Sequence, residues 1–136
     1  MDKLIVNTAS IEKRFALVRN NIVEEIIFDR PEQRSLVGNI YYGTVTKVLP
    51  GMNAAFIDIG EEKNAYLHRD VLAAYVLSPE RSIDKEKKSV STFVHQGEKL
   101  LVQVDKDATG PKGPRVTGII EITGDNLIYM PKGRYV

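Results

Sequence analysis

Residues 43–69 read GTVTKVLPGMNAAFIDIGEEKNAYLHR, two apolar runs separated by Gly60-Glu61-Glu62-Lys63. Side chains in a β-strand alternate between its two faces. Ala55, Ile57 and Ile59 therefore form one apolar row, and Phe56 lies in the other, between Ala54 and Asp58. In the next run Ala65 and Leu67 point one way, while Tyr66 and His68 point the other. Two consecutive strands thus each place an aromatic ring on the face that carries polar and ionisable groups. An exposed ring beside cations suits a single-stranded nucleic acid, because every base has a face that can stack on it. A ring that caps a barrel end or packs under a loop would leave the same pattern, and alternation alone does not separate the two.

Outward from this stretch the chain keeps to short strands. Asn39 to Leu49 is rich in Tyr, Thr and Val, with Gly43 inside it, and an interior glycine commonly marks a bulge or a barrel bend. Pro50-Gly51 is a turn signal. Asp70 can cap a short helix running through Tyr75, and residues 78–91 are polar without periodicity, which predicts a mobile loop. Leu100, Val102 and Val104 alternate as a fourth strand. The Gly- and Pro-rich residues 109–114 form a connection, and Arg115 to Ile122 is a fifth strand. Five short strands with a helix between the third and fourth fit the OB-fold, a small Greek-key barrel. Before them, Lys3–Thr8, Arg14–Arg19 and Ile22–Phe28 read as strands, with a turn at Asn20-Asn21 and a break at Pro31–Ser35. After Gly124-Asp125-Asn126 comes a last strand, Leu127–Met130. The two chain ends are expected to form a second sheet into which the barrel is inserted.

Composition narrows the classes of function. With 136 residues, 43% hydrophobic and 27% charged, the chain is the size of one ordinary globular domain, or of one plus a fragment of another. Cysteine is absent, which excludes disulfides and thiolate chemistry and suits a reducing cytosol. Leu4 to Val6 is too short for a signal-peptide core, and no apolar run is long enough to span a bilayer. A formal net charge of +1 means that any nucleic-acid affinity must come from local clustering. Lys106, Lys112 and Arg115 supply such a cluster, followed by Lys132 and Arg134, whereas Glu24, Glu25, Asp29 and Glu32 gather elsewhere.

The segments GNIYYGTVTKVLPGMNAAFIDIGEEKNAYLH and QGEKLLVQVDKDATGPKGPRVT closely resemble the N-terminal region of the bacterial ribonuclease E/G family. In that family an S1 RNA-binding domain, a variant of the OB-fold, is inserted into an RNase H-like subdomain. MDKLIVNTA resembles the opening strand of that subdomain, and ITGDNLIYMP resembles the return into its sheet. The resemblance thus implies a mostly β chain. Its five-stranded OB-fold/S1 barrel would occupy residues 36–116, inserted into a partial RNase H-like sheet formed by residues 1–35 and 117–136. Phe56 and Tyr66 match the family's two RNA-contacting aromatic positions, Lys112 its basic RNA contact, and Lys106 the lysine of its VDK-type element. His68 and Arg115 are expected to join this face, His68 by stacking or donating to phosphate. Tyr66 stands where phenylalanine is more frequent, keeping the stacking face and adding a hydroxyl. Two features depart from the pattern and imply weaker or less selective RNA contacts: Ile59 stands where family members can carry tyrosine, and the third strand has no aromatic at Glu24 or Glu25.

What the resemblance implies for catalysis lies beyond this sequence. The family's magnesium-holding aspartates, its zinc-linking cysteines and its 5′-monophosphate pocket all follow the region matched here. The chain is therefore expected to hold no catalytic or metal-binding residue of its own, to be a piece cut from a longer nuclease, and to be inactive alone. Asp105 and Asp107 share one strand face, yet a hard-metal nuclease site also needs carboxylates from other strands. His68 and His95 lack the spacing of a helical zinc site. The expected partners are single-stranded RNA, the remainder of the parent nuclease and other copies of the chain. An OB barrel that docks a peptide on its aromatic face is the alternative.

Overall fold

The computed structural model describes residues 1–30 and 35–131. The break expected at Pro31–Arg34 and the cations Lys132 and Arg134 fall outside the described residues. The chain divides into two compact units, Met1–Ser35 and a second that begins at Leu36.

The first unit is an antiparallel meander of β1 (Asp2–Asn7), β2 (Lys13–Arg19) and β3 (Ile22–Asp29), with β2 in the middle. Asn20 and Asn21 have φ of 50° and 62° and join the paired residues Arg19 and Ile22. A two-residue hairpin with both residues left-handed matches the twist of its strands, and asparagine tolerates that conformation. Cross-strand partners share a face. The register therefore places Val6, Phe15 and Ile27 on one side, and Ile5, Ala16 and Ile26 on the other. Both faces are apolar, and Leu4, Ile5, Ile22, Ile26 and Phe28 are each more than half exposed.

In the second unit β4 (Ile40–Leu49), β5 (Ala54–Asp58), β6 (Ala65–His68), β7 (Lys99–Lys106) and β8 (Arg115–Thr117) close into a barrel in the order β4-β5-β6-β8-β7. The β6–β8 seam is parallel and the other pairings are antiparallel. The helical segment between β6 and β7 completes the OB-type arrangement expected from the sequence. Val45, Ile57, Leu67, Val102, Val104 and Val116 fill the interior. Gly43 is required by close approach, because a Cβ there would lie 2.5 Å from Cγ2 of Ile57 and 3.0 Å from the Asp58 carbonyl oxygen.

Three local expectations are corrected. His68, rather than Asp70, caps the turn after β6, its Nδ1 accepting from the Asp70 N–H at 3.1 Å; a 3-10 turn at Arg69–Val71 follows, then α1 (Ala73–Val76). Residues 78–91 are not a structureless loop, since they contain α2 (Ser82–Glu86) and the start of a 3-10 turn at Val90–Thr92. Arg69 holds this segment, its guanidinium donating to the carbonyls of Glu86 at 3.0 Å and Lys88 at 2.9 Å while lying over the Tyr75 ring. Val90 and Val94 are buried, and the Val90 N–H donates to the Asn53 side chain.

The fifth strand is also shorter than expected. It stops at Thr117 because the Gly118 N–H leaves the ladder and donates to the Val71 carbonyl at 2.8 Å. Among the described residues the terminal strands pair locally within their own units. β1–β3 pair only with one another, and β9 (Ile122–Thr123) pairs with β10 (Ile128–Tyr129) as a separate hairpin. With two residues in each strand, that hairpin has little ladder to extend.

Candidate nucleic-acid interface

Ala55, Ile57, Ala65 and Leu67 are buried, as their alternation requires, while Phe56 and Tyr66 are turned outward and half-buried. Ala54 is the exception to the row assignment, fully buried beside Ala55 although it is in phase with Phe56. Phe56 and Tyr66 are direct cross-strand partners, with ring centroids 6.5 Å apart and planes at 66°. This edge-to-face packing fixes both rings and leaves their remaining faces to the groove.

The register then continues across the closing seam. Tyr66 stands opposite Arg115 on β8, and Arg115 opposite Lys106 on β7. The step from Val104–Val116 to Lys106–Arg115 leaves Asp105 as an extra residue, a β-bulge. A bulge changes the phase of its strand. Lys106 would otherwise follow Val102 and Val104 inward, and the bulge turns it out beside Arg115. Asp105 accepts from Arg115 Nε at 2.8 Å, which orients the guanidinium and leaves its other donors available.

Lys112 reaches the same groove from the loop between β7 and β8. Thr109 and Lys112 exchange backbone hydrogen bonds of 3.0 and 3.1 Å, closing a tight turn with Gly110 at φ 56°. Lys63 donates to the Gly110 carbonyl, and Gly113 lies against Asn64, so the loop rests on the β5–β6 connection. The Pro114 carbonyl accepts from the Tyr66 N–H at 2.8 Å, and Pro114 is fully buried.

The structure thus gathers Phe56, Tyr66, Lys106, Lys112 and Arg115 around one concave surface. His68 is outside it. Its Nδ1 holds the Asp70 N–H and stands 3.7 Å from the Asp70 carboxylate, so the ring has a capping task. Met52, Lys63, Asn64, Thr109 and Pro111 also line the groove and were not singled out from the sequence. The only available signal was their position: Met52, Lys63 and Asn64 sit in turns beside the strands that carry the rings, and Thr109 and Pro111 in the loop that carries Lys112. Asp105 and Asp107 are committed elsewhere, Asp105 to Arg115 and Asp107 to the Leu36 N–H at 2.8 Å. Among the described residues no group of three or more His, Asp or Glu converges on a metal-sized site, and no helix is long and apolar enough to cross a membrane.

No protein-family model matches the chain. It is 40% identical over 136 residues to ribonuclease G of Escherichia coli K12, with 98% of the chain aligned. It is also 40% identical over 140 residues to ribonuclease G of Haemophilus influenzae. The chain is a homologue of ribonucleases G and E. Ribonuclease E of a Synechocystis strain is 39% identical over 115 residues, covering 84% of the chain. This ribonuclease E/G homologue spans 28% of the length of the two ribonuclease G relatives and 16% of that ribonuclease E. The motifs AAFIDIG and VDKDATGPKGPRVT thus fall on the two elements that build the groove, β5 and the β7–β8 loop.

Proposed function

We propose that this chain is the RNA-gripping part of a ribonuclease E/G-type endoribonuclease that acts in cytoplasmic RNA processing and decay. Single-stranded RNA lies across β5 and β6, with bases stacked on Phe56 and Tyr66 and phosphates held by Lys106, Lys112 and Arg115. The observation that carries this reading is the pairing of the two rings at the centre of a groove bounded by three cations. Stacking makes the contact tolerant of base identity, and the cations track the backbone. The alternative, an apolar peptide on the rings, leaves that cluster of cations without a role.

Residues 36–116 act as the S1 domain in this proposal, and residues 1–35 with 117–136 belong to an RNase H-like subdomain completed by the rest of the parent nuclease. Magnesium and zinc belong to that longer protein. Among the described residues no group of three or more His, Asp or Glu could hold either ion. The grip would position a strand for hydrolysis carried out by residues outside this chain.

The test is a titration of the purified chain with a labelled single-stranded RNA of roughly ten nucleotides, within the range of OB-fold site sizes, at two salt concentrations. Phosphate contacts release counterions, so the RNA affinity should fall steeply with ionic strength. Affinity that is unchanged by salt, or absent, would overturn the RNA reading. Incubation of the same RNA with excess chain and magnesium should leave it uncut.

A further inference from the structure

On β4 the pairing with β5 runs from Val45–Ile57 to Lys47–Phe56 and leaves Thr46 as an extra residue. Thr46 Oγ1 donates to the Phe56 carbonyl at 3.2 Å and accepts from Asn64 Nδ2 at 3.2 Å, so the irregularity is pinned on both sides. The phase of β4 switches there. Val45 is buried and Val48 packs against the same core three residues later, which plain alternation forbids. Lys47 is thereby turned outward beside Phe56 and is exposed.

Set beside the Asp105 bulge, this gives one transverse row around the barrel: Lys47, Phe56, Tyr66, Arg115 and Lys106, each the direct partner of the next. A bulge at each end re-aims a lysine that would otherwise face the core. From the geometry we infer that Lys47 is a further phosphate contact for single-stranded RNA, extending the track beyond Phe56 to the side opposite Lys106. This rests on the RNA reading of the groove. Adjacent strands lie about 4.8 Å apart, so the three steps from β4 to β8 cover roughly 14 Å. The track therefore crosses the strands, with a cation at either end and rings in the middle, and its footprint falls at the low end of the range of roughly 4–16 nucleotides known for OB-folds. Lys47 lies on a different strand from all three cations already placed, so a strand held by both ends cannot slide off the rings without breaking a charged contact.

The experiment measures the affinity of the full chain for a fluorescein-labelled oligouridylate of roughly ten nucleotides over a series of salt concentrations. Lys47→Ala should lower affinity roughly three- to tenfold at low salt and reduce the slope of log affinity against log salt by up to about 0.7. Lys47→Arg should restore both. Lys87→Ala, at an exposed lysine beyond α2 and outside the row, is the control for the general field and should change neither quantity by as much. If Phe56→Ala and Lys112→Ala weaken binding while Lys47→Ala leaves affinity and slope at parent values, the extension is wrong and the groove stands. If the Lys87 and Lys47 variants behave alike, the effect is long-range charge and the contact is refuted. If the parent chain does not bind the RNA, the reading on which the inference rests has failed.

Discussion

Gly113 and Asn64 are in backbone contact: a Cβ on Gly113 would lie 2.0 Å from the Asn64 carbonyl oxygen and 3.0 Å from its carbonyl carbon. The loop that carries Lys112 is seated on the β5–β6 connection only because residue 113 has no side chain. Gly113→Ala should therefore lift the loop and weaken RNA binding without touching a ring or a cation. Overpacking of this kind costs about 1–3 kcal/mol, read as a lower denaturation midpoint. Gly51→Ala, where nothing lies within 4 Å of the added methyl, is the comparison. Equal midpoints and affinities in the two variants would refute the seating role.

Phe56→Ala should weaken RNA binding about five- to hundredfold at fixed salt, the equivalent of roughly 1–3 kcal/mol for one stacked base. The ring meets Tyr66 edge-on and stands outside the barrel core, so the loss of folding stability should stay near the about 0.5–1.5 kcal/mol of an aromatic pair plus its modest burial. Normal binding with a much lower melting temperature would make the ring a cap rather than a stacking surface.

Lys112→Ala should act through charge alone. The slope of log affinity against log salt should fall by up to about 0.7, the value per neutralised phosphate on a single strand. Stability should be unchanged within about 0.5 kcal/mol, because the turn is closed by backbone bonds between Thr109 and Lys112 that survive the substitution.

Arg69→Ala should release the segment between α1 and β7. The side chain is only 11% exposed, and its removal strips donors from the carbonyls of Glu86 and Lys88. Each hydrogen bond to a charged group contributes about 1.5–3 kcal/mol. Amide exchange at Val90 and Val94 should accelerate, while RNA affinity should hold at the parent value. Protected amides there in the variant would show that the segment is held by Val90 and Val94 burial alone.

The first unit should self-associate. Its sheet is apolar on both faces, and among the described residues its outer strands β1 and β3 pair only with β2. Unpaired edges and large apolar patches recruit further chains. Sedimentation of the isolated chain should show dimers or larger species at high concentration, and Ile26→Lys with Ile27→Lys, one charge on each face, should shift them toward monomer. A strictly monomeric parent would contradict this.

Alternation made the rings legible because β5 and β6 are regular where they carry them, so Phe56 and Tyr66 fall opposite their core rows. The Asn20-Asn21 hairpin was legible for a similar reason, being local backbone chemistry. Lys106 was legible through the charge cluster it forms with Lys112 and Arg115 and through the family motif, whereas periodicity points it inward and the bulge at Asp105 reverses it. The same kind of reversal hid Lys47. The order in residues 82–92 had no local signal, because it comes from Arg69 hydrogen bonds to carbonyls 17 and 19 residues away. His68 shared the phase of Tyr66, but its capping bond to the Asp70 N–H is a matter of turn geometry that alternation does not describe.

The parallel seam between β6 and β8 brings Tyr66 beside Arg115, joining parts of the chain that are far apart in sequence. Contacts of such separation are paid for in loop entropy before they return anything, so they tend to form late in folding. The rings sit on one side of this seam, with Lys106 and Arg115 on the other. A nascent or partly unfolded chain can collapse its hairpins and still present no composite surface for a strand to cross. Competence to hold RNA would then arrive with the last closure of the barrel, making the grip a report on the completeness of the fold.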